Sequence, residues 1–198
     1  MATAYIGLGA NIDGPAGGPE ATLAAAAKRL GQHGRVAARS SLYSTAPVGM
    51  KDQPRFLNVV VALETELAPH ALLQVLLDVE REFGRDRSAS VRNGPRTLDL
   101  DMLLYGDLVL SEHDLEVPHP RLAERAFVLV PLDEIAPELR EPRSGATVSQ
   151  LMVKLSPEPE SDANAVVRVE GDVWRAGSNG GERNAAARAG SAGDLSNG

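Results

Sequence analysis

The run Leu-Asp-Leu-Asp-Met-Leu-Leu-Tyr from Leu98 to Tyr105 is the feature that most narrows the folds open to this chain. Its alternation of acid and apolar residues has the two-residue period of a β-strand. Thr97, Asp99 and Asp101 are therefore expected on one face, and Leu98, Leu100, Met102 and Leu104 on the other. A helix would scatter both sets. The apolar face requires a core, and the acidic face requires positive charge, because Asp is disfavoured in strands and like charges on one face repel. A solvated edge strand is the plain alternative. The Gly94-Pro95 corner and the flanking Arg92 and Arg96 favour a cation site instead. Alternate residues stand about 6.5 to 7 Å apart along a strand. Two such carboxylates could converge on divalent cations about 3.5 to 4 Å from each other.

Around this strand the chain alternates between strand-like and helix-like segments. Ala4 to Leu8 is an apolar run leading into Gly-Leu-Gly-Ala-Asn, and Glu20 to Gln32 has the composition of a helix. Val36 to Tyr43 and Phe56 to Glu66 read as strands, joined by a loop over Ser44 to Arg55. Pro69 opens a second helix with Leu72, Leu76, Val79 and Phe83 at helical spacing, ended by Gly84. After the central strand, Leu108 to Leu110 is expected to pair back on it, and Phe127 to Ile135 and Thr147 to Leu155 to form short helices. Several strand connections are too short for parallel crossovers. These segments predict a single α+β domain, a ferredoxin-like mixed or antiparallel sheet with helices packed on one side, spanning residues 1–156. Residues 157–198 are rich in Gly, Ala and Ser and are expected to be a mostly disordered tail, with short accessory strands over 166–174.

The net charge of −7 argues against nucleic acid as a partner, since phosphate backbones require a basic surface. The positive charge is concentrated nonetheless: Arg81, Arg85, Arg87, Arg92 and Arg96 fall close together just before the acidic strand, which predicts a local anion site. Cysteine is absent, no apolar run reaches membrane-spanning length, and the first basic residue is Lys28. A cytoplasmic protein without membrane contact is expected. No G-x-x-x-x-G-K-[ST] loop and no H-E-x-x-H motif occur, and the third glycine of a dinucleotide fingerprint after Gly7 and Gly9 is replaced by Ile12. Paired hard oxygen ligands favour Mg²⁺, which keeps waters and completes its shell with substrate phosphates. With nearby guanidinium groups, the residues point to phosphoryl transfer from a nucleotide. A ligand-binding module without catalysis and a Mg²⁺-dependent nucleotidyltransferase remain open on the residues alone.

The core GPRTLDLD, from Gly94 to Asp101, resembles the signature of the hydroxymethyl-dihydropterin pyrophosphokinase family of folate biosynthesis. Similarity extends through YIGLGAN near the start, STAPVGMKDQPRFLNVVVALET in the middle and VPHPRLAERAFVLVPLDEIAP later, covering Ala4 to Leu155. The resemblance implies transfer of pyrophosphate from ATP to the hydroxymethyl group of the dihydropterin, releasing AMP, with ATP and the pterin as the small-molecule partners of a monomer. It implies that Asp99 and Asp101 hold two Mg²⁺ ions, and that Arg87 and Arg96 act with them in catalysis. Thr45, Val48, Phe56, Asn58 and Phe127 would bind the pterin. Glu80, Arg85, Arg96, His119 and Arg125 would bind ATP, with Glu80 near the nucleoside. Ala10 stands where the family commonly has Ser, and Asn93 where some members have Trp.

Overall fold

The structure, a computed structural model, describes residues 1–47, 50, 52–86, 94–155 and 166–176. The chain runs β1 (Ala2–Ala10), α1 (Pro19–Leu30), β2 (Arg35–Arg39), β3 (Leu42–Thr45), β4 (Phe56–Thr65), α2 (Pro69–Glu82) and β5 (Asp99–Tyr105). It continues through the short pair β6 (Leu110–Ser111) and β7 (Glu116–Val117), a 3-10 turn at Leu122–Glu124, α3 (Ala126–Ile135), α4 (Val148–Lys154), β8 (Val167–Val169) and α5 (Asp172–Ala176). The main sheet has the order β5-β1-β4-β3-β8, with β2 also on β4, and its pairings are antiparallel. Taking β2 and β3 as one edge position, this is the ferredoxin-like arrangement expected from the short connections.

Local sequence explains the element ends. Pro69 occupies the first helical position of α2, where a missing N–H costs nothing, and Gly84, at φ 85°, supplies the left-handed residue that stops it. Thr147 and Gln150 form a reciprocal capping box at the start of α4. Val36 to Tyr43, expected as one strand, divides into β2 and β3. At the break, the Ser40 hydroxyl accepts the Val60 N–H at 2.9 Å, so a side chain takes over a ladder bond.

Helices cover both faces of the sheet, not one. On one face α1 and α2 bury Leu23, Leu30, Leu72 and Leu76 against Ile6, Leu8, Val61, Leu100 and Met102. On the other, α3 and α4 bury Leu129, Leu132 and Val148 against Val60, Leu103 and Leu104. A fully buried leucine of this kind contributes about 1.5 to 3 kcal/mol.

Leu104 was expected beside Leu100 and Met102 but faces the other way. Tyr5 pairs with Leu104 and Ile6 with Met102, which leaves Leu103 as an extra residue in β5. This bulge reverses the alternation beyond it. Leu110 likewise pairs with Val117 in a separate two-stranded ribbon instead of returning to β5. The accessory segment contributes one strand, β8, followed by a helix whose Trp174 is buried against the core.

Candidate active site

The α3 face is incomplete at the end of β5 that carries the acids, and a cleft of about 340 Å³ opens there. Its floor follows from strand register. Gly9 of β1 pairs with Asn58 of β4 on one side and with Asp99 of β5 on the other. The amide and the first carboxylate thus stand in one row, two strand spacings or about 9 to 10 Å apart, with a residue that has no side chain between them. A Cβ on Gly9 would lie 3.0 Å from Asn58 Oδ1. Glycine is what keeps this floor clear.

One end of the row is built to read a flat polar edge. Asn58 Nδ2 donates to Thr45 Oγ1 at 2.8 Å, and both residues are buried. That bond orients the amide. Phe56, at the start of β4, and Phe127, in the first turn of α3, also line the cleft, so two aromatic rings are available to a planar ligand.

The other end is strongly charged. Asp99 is ion-paired to Arg85, 3.1 Å from Oδ1, and to Arg96 through Oδ2. Arg125 lies 3.5 Å from Asp101 and 5.5 Å from the centre of the Phe127 ring. Burial raises the Asp101 carboxyl above the usual carboxylate range and the charge of Asp99 raises it further, with His119, Arg125 and Arg96 opposing. A divalent cation between the two acids would relieve that cost. His119 is held below its ordinary value by burial, reinforced by Arg125 and Arg121 against the pull of Asp101. Its Nδ1 accepts the Arg121 N–H at 3.1 Å, which leaves the proton of the neutral ring on Nε2.

The residues present fit a hard cation and an anionic ligand. Asp99 and Asp101 are adjacent oxygen donors on one strand face, and Arg96 Nε, in the cleft wall, is buried with no hydrogen-bond partner among the described residues. Among the expected residues, Thr45, Phe56, Asn58, Arg96, Asp99, Asp101, Arg125 and Phe127 converge on this cleft. Arg85 sits behind Asp99 with its side chain 8% exposed, and also reaches the Leu98 carbonyl. His119 is anchored beside the strand by its N–H to the Leu103 carbonyl. Glu80 does not line the cleft: it is buried under β5, where Oε1 accepts the Leu100 N–H at 2.8 Å. Val48, Arg87, Arg92 and Asn93 lie outside the described residues.

Sequence reasoning passed over Asn11, which clasps the cleft rim. Its Oδ1 accepts the Arg96 N–H at 2.7 Å, and its Nδ2 donates to Gln53 Oε1 and to the Pro54 carbonyl, both at 3.0 Å. An amide directly after a glycine-bearing buried strand was the available signal. Arg121 and Glu124, also in the cleft wall, had no signal beyond their proximity to His119.

An antiparallel ferredoxin-like sheet whose cleft joins paired acids and guanidinium groups to two aromatic rings and an oriented amide defines a phosphoryl-group transferase acting on a planar acceptor. Residues 5–137 match the family described as 7,8-dihydro-6-hydroxymethylpterin-pyrophosphokinase (HPPK). The chain belongs to this family. It is 47% identical over 159 residues to the 2-amino-4-hydroxy-6-hydroxymethyldihydropteridine pyrophosphokinase of Methylorubrum extorquens, covering 79% of this chain and 96% of that protein. To the Bacillus subtilis protein of the same description it is 44% identical over 154 residues, covering 77% and 89%. The solved Plasmodium falciparum HPPK-DHPS wild type with STZ-DHP shares the fold, with a TM-score of 0.56 at 16% identity over 77% of this chain and 41% of that one. The chain thus spans about two fifths of that larger structure. Among the described residues, no helix is long and apolar enough to cross a membrane.

Proposed function

We propose that this chain transfers the β,γ-pyrophosphoryl group of ATP to the hydroxymethyl oxygen of 6-hydroxymethyl-7,8-dihydropterin, giving the pterin diphosphate and AMP in tetrahydrofolate biosynthesis. In that reaction the acceptor hydroxyl loses its proton and forms a bond to the β-phosphorus. The α,β-bridging bond breaks on the β side, so AMP keeps the bridging oxygen.

The observation that carries the reading is the Asn58–Gly9–Asp99 row, which sets a pterin-sized recognition end beside a charged end without a side chain between them. Asn58, oriented by Thr45, reads the pterin edge, Val48 adds a contact to the pterin, and Phe56 and Phe127 hold its faces. Asp99 and Asp101 would hold two Mg²⁺ ions, which would supply positive charge to the transferring phosphates. Arg96 and Arg85, which pair with Asp99, would supply guanidinium groups to the phosphate oxygens. Arg125 and His119, near Asp101, serve ATP, and Arg87 acts with Arg96 in catalysis. Glu80 acts through Leu100, holding the strand between the two acids. All reacting groups come from residues 1–156, and the enzyme works as a cytoplasmic monomer.

Purified protein given Mg²⁺, ATP and the dihydropterin should release AMP. Release of ADP would indicate single phosphoryl transfer, release of pyrophosphate nucleotidyl transfer, and pterin uptake without turnover a binding module. Any of these outcomes refutes the reading.

A further inference from the structure

The acids, arginines and rings of the cleft all precede Leu155, yet residues 166–176 return to the sheet at the edge nearest the amide end of the cleft. β8 pairs with β3 through Leu42–Val169, Tyr43–Arg168 and Ser44–Val167. The next residue of β3 is Thr45, whose hydroxyl orients Asn58. β3 is only four residues long, and on its inner side it pairs with β4 from Tyr43 to Thr45. A strand this short at a sheet edge frays unless its outer side is covered.

The covering segment is firmly seated. Trp174 is 4% exposed, its indole Nε1 donates to the Ser40 carbonyl at 2.9 Å, and its backbone N–H donates to Glu20 Oε1 at 2.9 Å. The Arg39 guanidinium stacks 3.6 Å from the centre of the indole ring. Gly171 passes so close that an added Cβ would come within 2.8 Å of Glu20 Oε1 and 3.0 Å of Leu42 Cδ2. A second link runs through Glu134 of α3. Its carboxylate accepts from Ser41 N and Oγ and from the Tyr43 hydroxyl, and Arg168 of β8 lies 4.0 Å away. The helix that carries Phe127 is thus tied to the same edge.

We infer that residues 166–176 form a positioning strap for the acceptor subsite, with Trp174 as its anchor: by fixing β3 they hold Thr45, and through it the Asn58 amide, in the geometry that recognises the planar substrate. The inference rests on the pyrophosphokinase reading. It assigns this C-terminal segment a role in pterin affinity and none in ATP binding or the chemical step, because Asp99, Asp101 and Arg96 lie across the sheet on β5 and the loop before it.

The test compares the full chain with Trp174→Ala and Trp174→Phe, measuring kcat and both KM values by AMP release, and amide hydrogen exchange over Leu42 to Thr45. Trp174→Ala should speed exchange in β3 and raise the pterin KM about five- to twentyfold, with kcat and the ATP KM within about twofold. Trp174→Phe keeps a six-membered aromatic ring but loses the pyrrole ring and its N–H, and should raise the pterin KM about two- to threefold. If Trp174→Ala does not fold, the Phe variant decides. An unchanged pterin KM in that variant overturns the inference, as does an unchanged pterin KM in the Ala variant despite faster exchange. Parallel losses in kcat and the ATP KM also overturn it, since they indicate a general loss of structure. A wild-type chain that makes no AMP overturns the pyrophosphokinase reading, and the inference with it.

Discussion

Glu80 offers the sharpest separation between a ligand contact and a structural brace. Its side chain is 1% exposed on the inner face of α2, and its Oε1 accepts the backbone N–H of Leu100, the residue between Asp99 and Asp101. Glu80→Ala removes that acceptor, strands a buried N–H and leaves space under the strand. Losing a carboxyl acceptor and orphaning its donor together cost about 2 to 4 kcal/mol. For a domain of this size each kcal/mol moves the melting temperature by about 2 to 4 °C, so a drop of about 4 to 16 °C is expected. Glu80→Gln keeps an oxygen in place and should lose about 1 kcal/mol or less. Calorimetry on both variants, with steady-state kinetics, gives the check. The Ala variant should lose kcat as the spacing of the two acids loosens, while Gln stays near wild type and neither raises the ATP KM selectively. A stable Glu80→Ala protein with a selectively raised ATP KM would refute the brace and restore the nucleoside contact suggested by the family resemblance.

Further outcomes follow from the same geometry. Gly9→Ala places a methyl 3.0 Å from Asn58 Oδ1 and makes the amide give by a few tenths of an ångström against its bond to Thr45, so pterin affinity measured by calorimetry should fall about tenfold, the equivalent of about 1.4 kcal/mol. Asp101→Asn removes a carboxyl whose charged form is disfavoured by burial and by Asp99, so the metal-free variant should melt higher than wild type at neutral pH while AMP formation is lost. Tyr43 is pushed up from 10.0 to about 12 by burial, with the charge of Glu134 and its hydrogen bond adding to the shift. Its neutral form is the favoured one when folded, so this contribution is complete below pH 10.0 and lost as pH rises toward about 12. Tyr43→Phe should therefore show a shallower alkaline loss of stability over that window in a pH series of thermal melts.

The parts of this molecule legible in its sequence are those set by local period and turn chemistry. The acid-apolar alternation placed β5, and Pro69 and Gly84 bounded α2. What escaped depended on partners distant in the chain. The facing of Leu104 is decided by how Tyr5 and Ile6 meet β5, and the split at Ser40 by a bond to Val60. The second helical layer came from α3 and α4, too short for their burial side to be read from period alone. Glu80 did carry a signal. It follows Leu72 and Leu76 at four-residue steps, which places it on the apolar side of α2, where a charged residue needs a buried partner. In the cleft, the residue types were legible; the single row joining Asn58 to Asp99 required strand register.

The extra residue at Leu103 divides β5 into two segments of independent phase. Upstream, any one-residue insertion or deletion would exchange the acids with leucines and destroy the charged floor. Downstream, the reversed phase sends Leu104 into the α3 layer and Tyr105 toward α2, where its hydroxyl donates to the Leu67 carbonyl at 2.5 Å. Loss of Leu103 itself would remove the bulge, leaving both acids facing the cleft and Leu104 and Tyr105 opposite Tyr5 and Ala4 as they are, at the cost of one leucine packed in the α3 layer. Chains with this fold can therefore vary in length at that one point of the strand and be selected there for packing, with the chemistry left untouched.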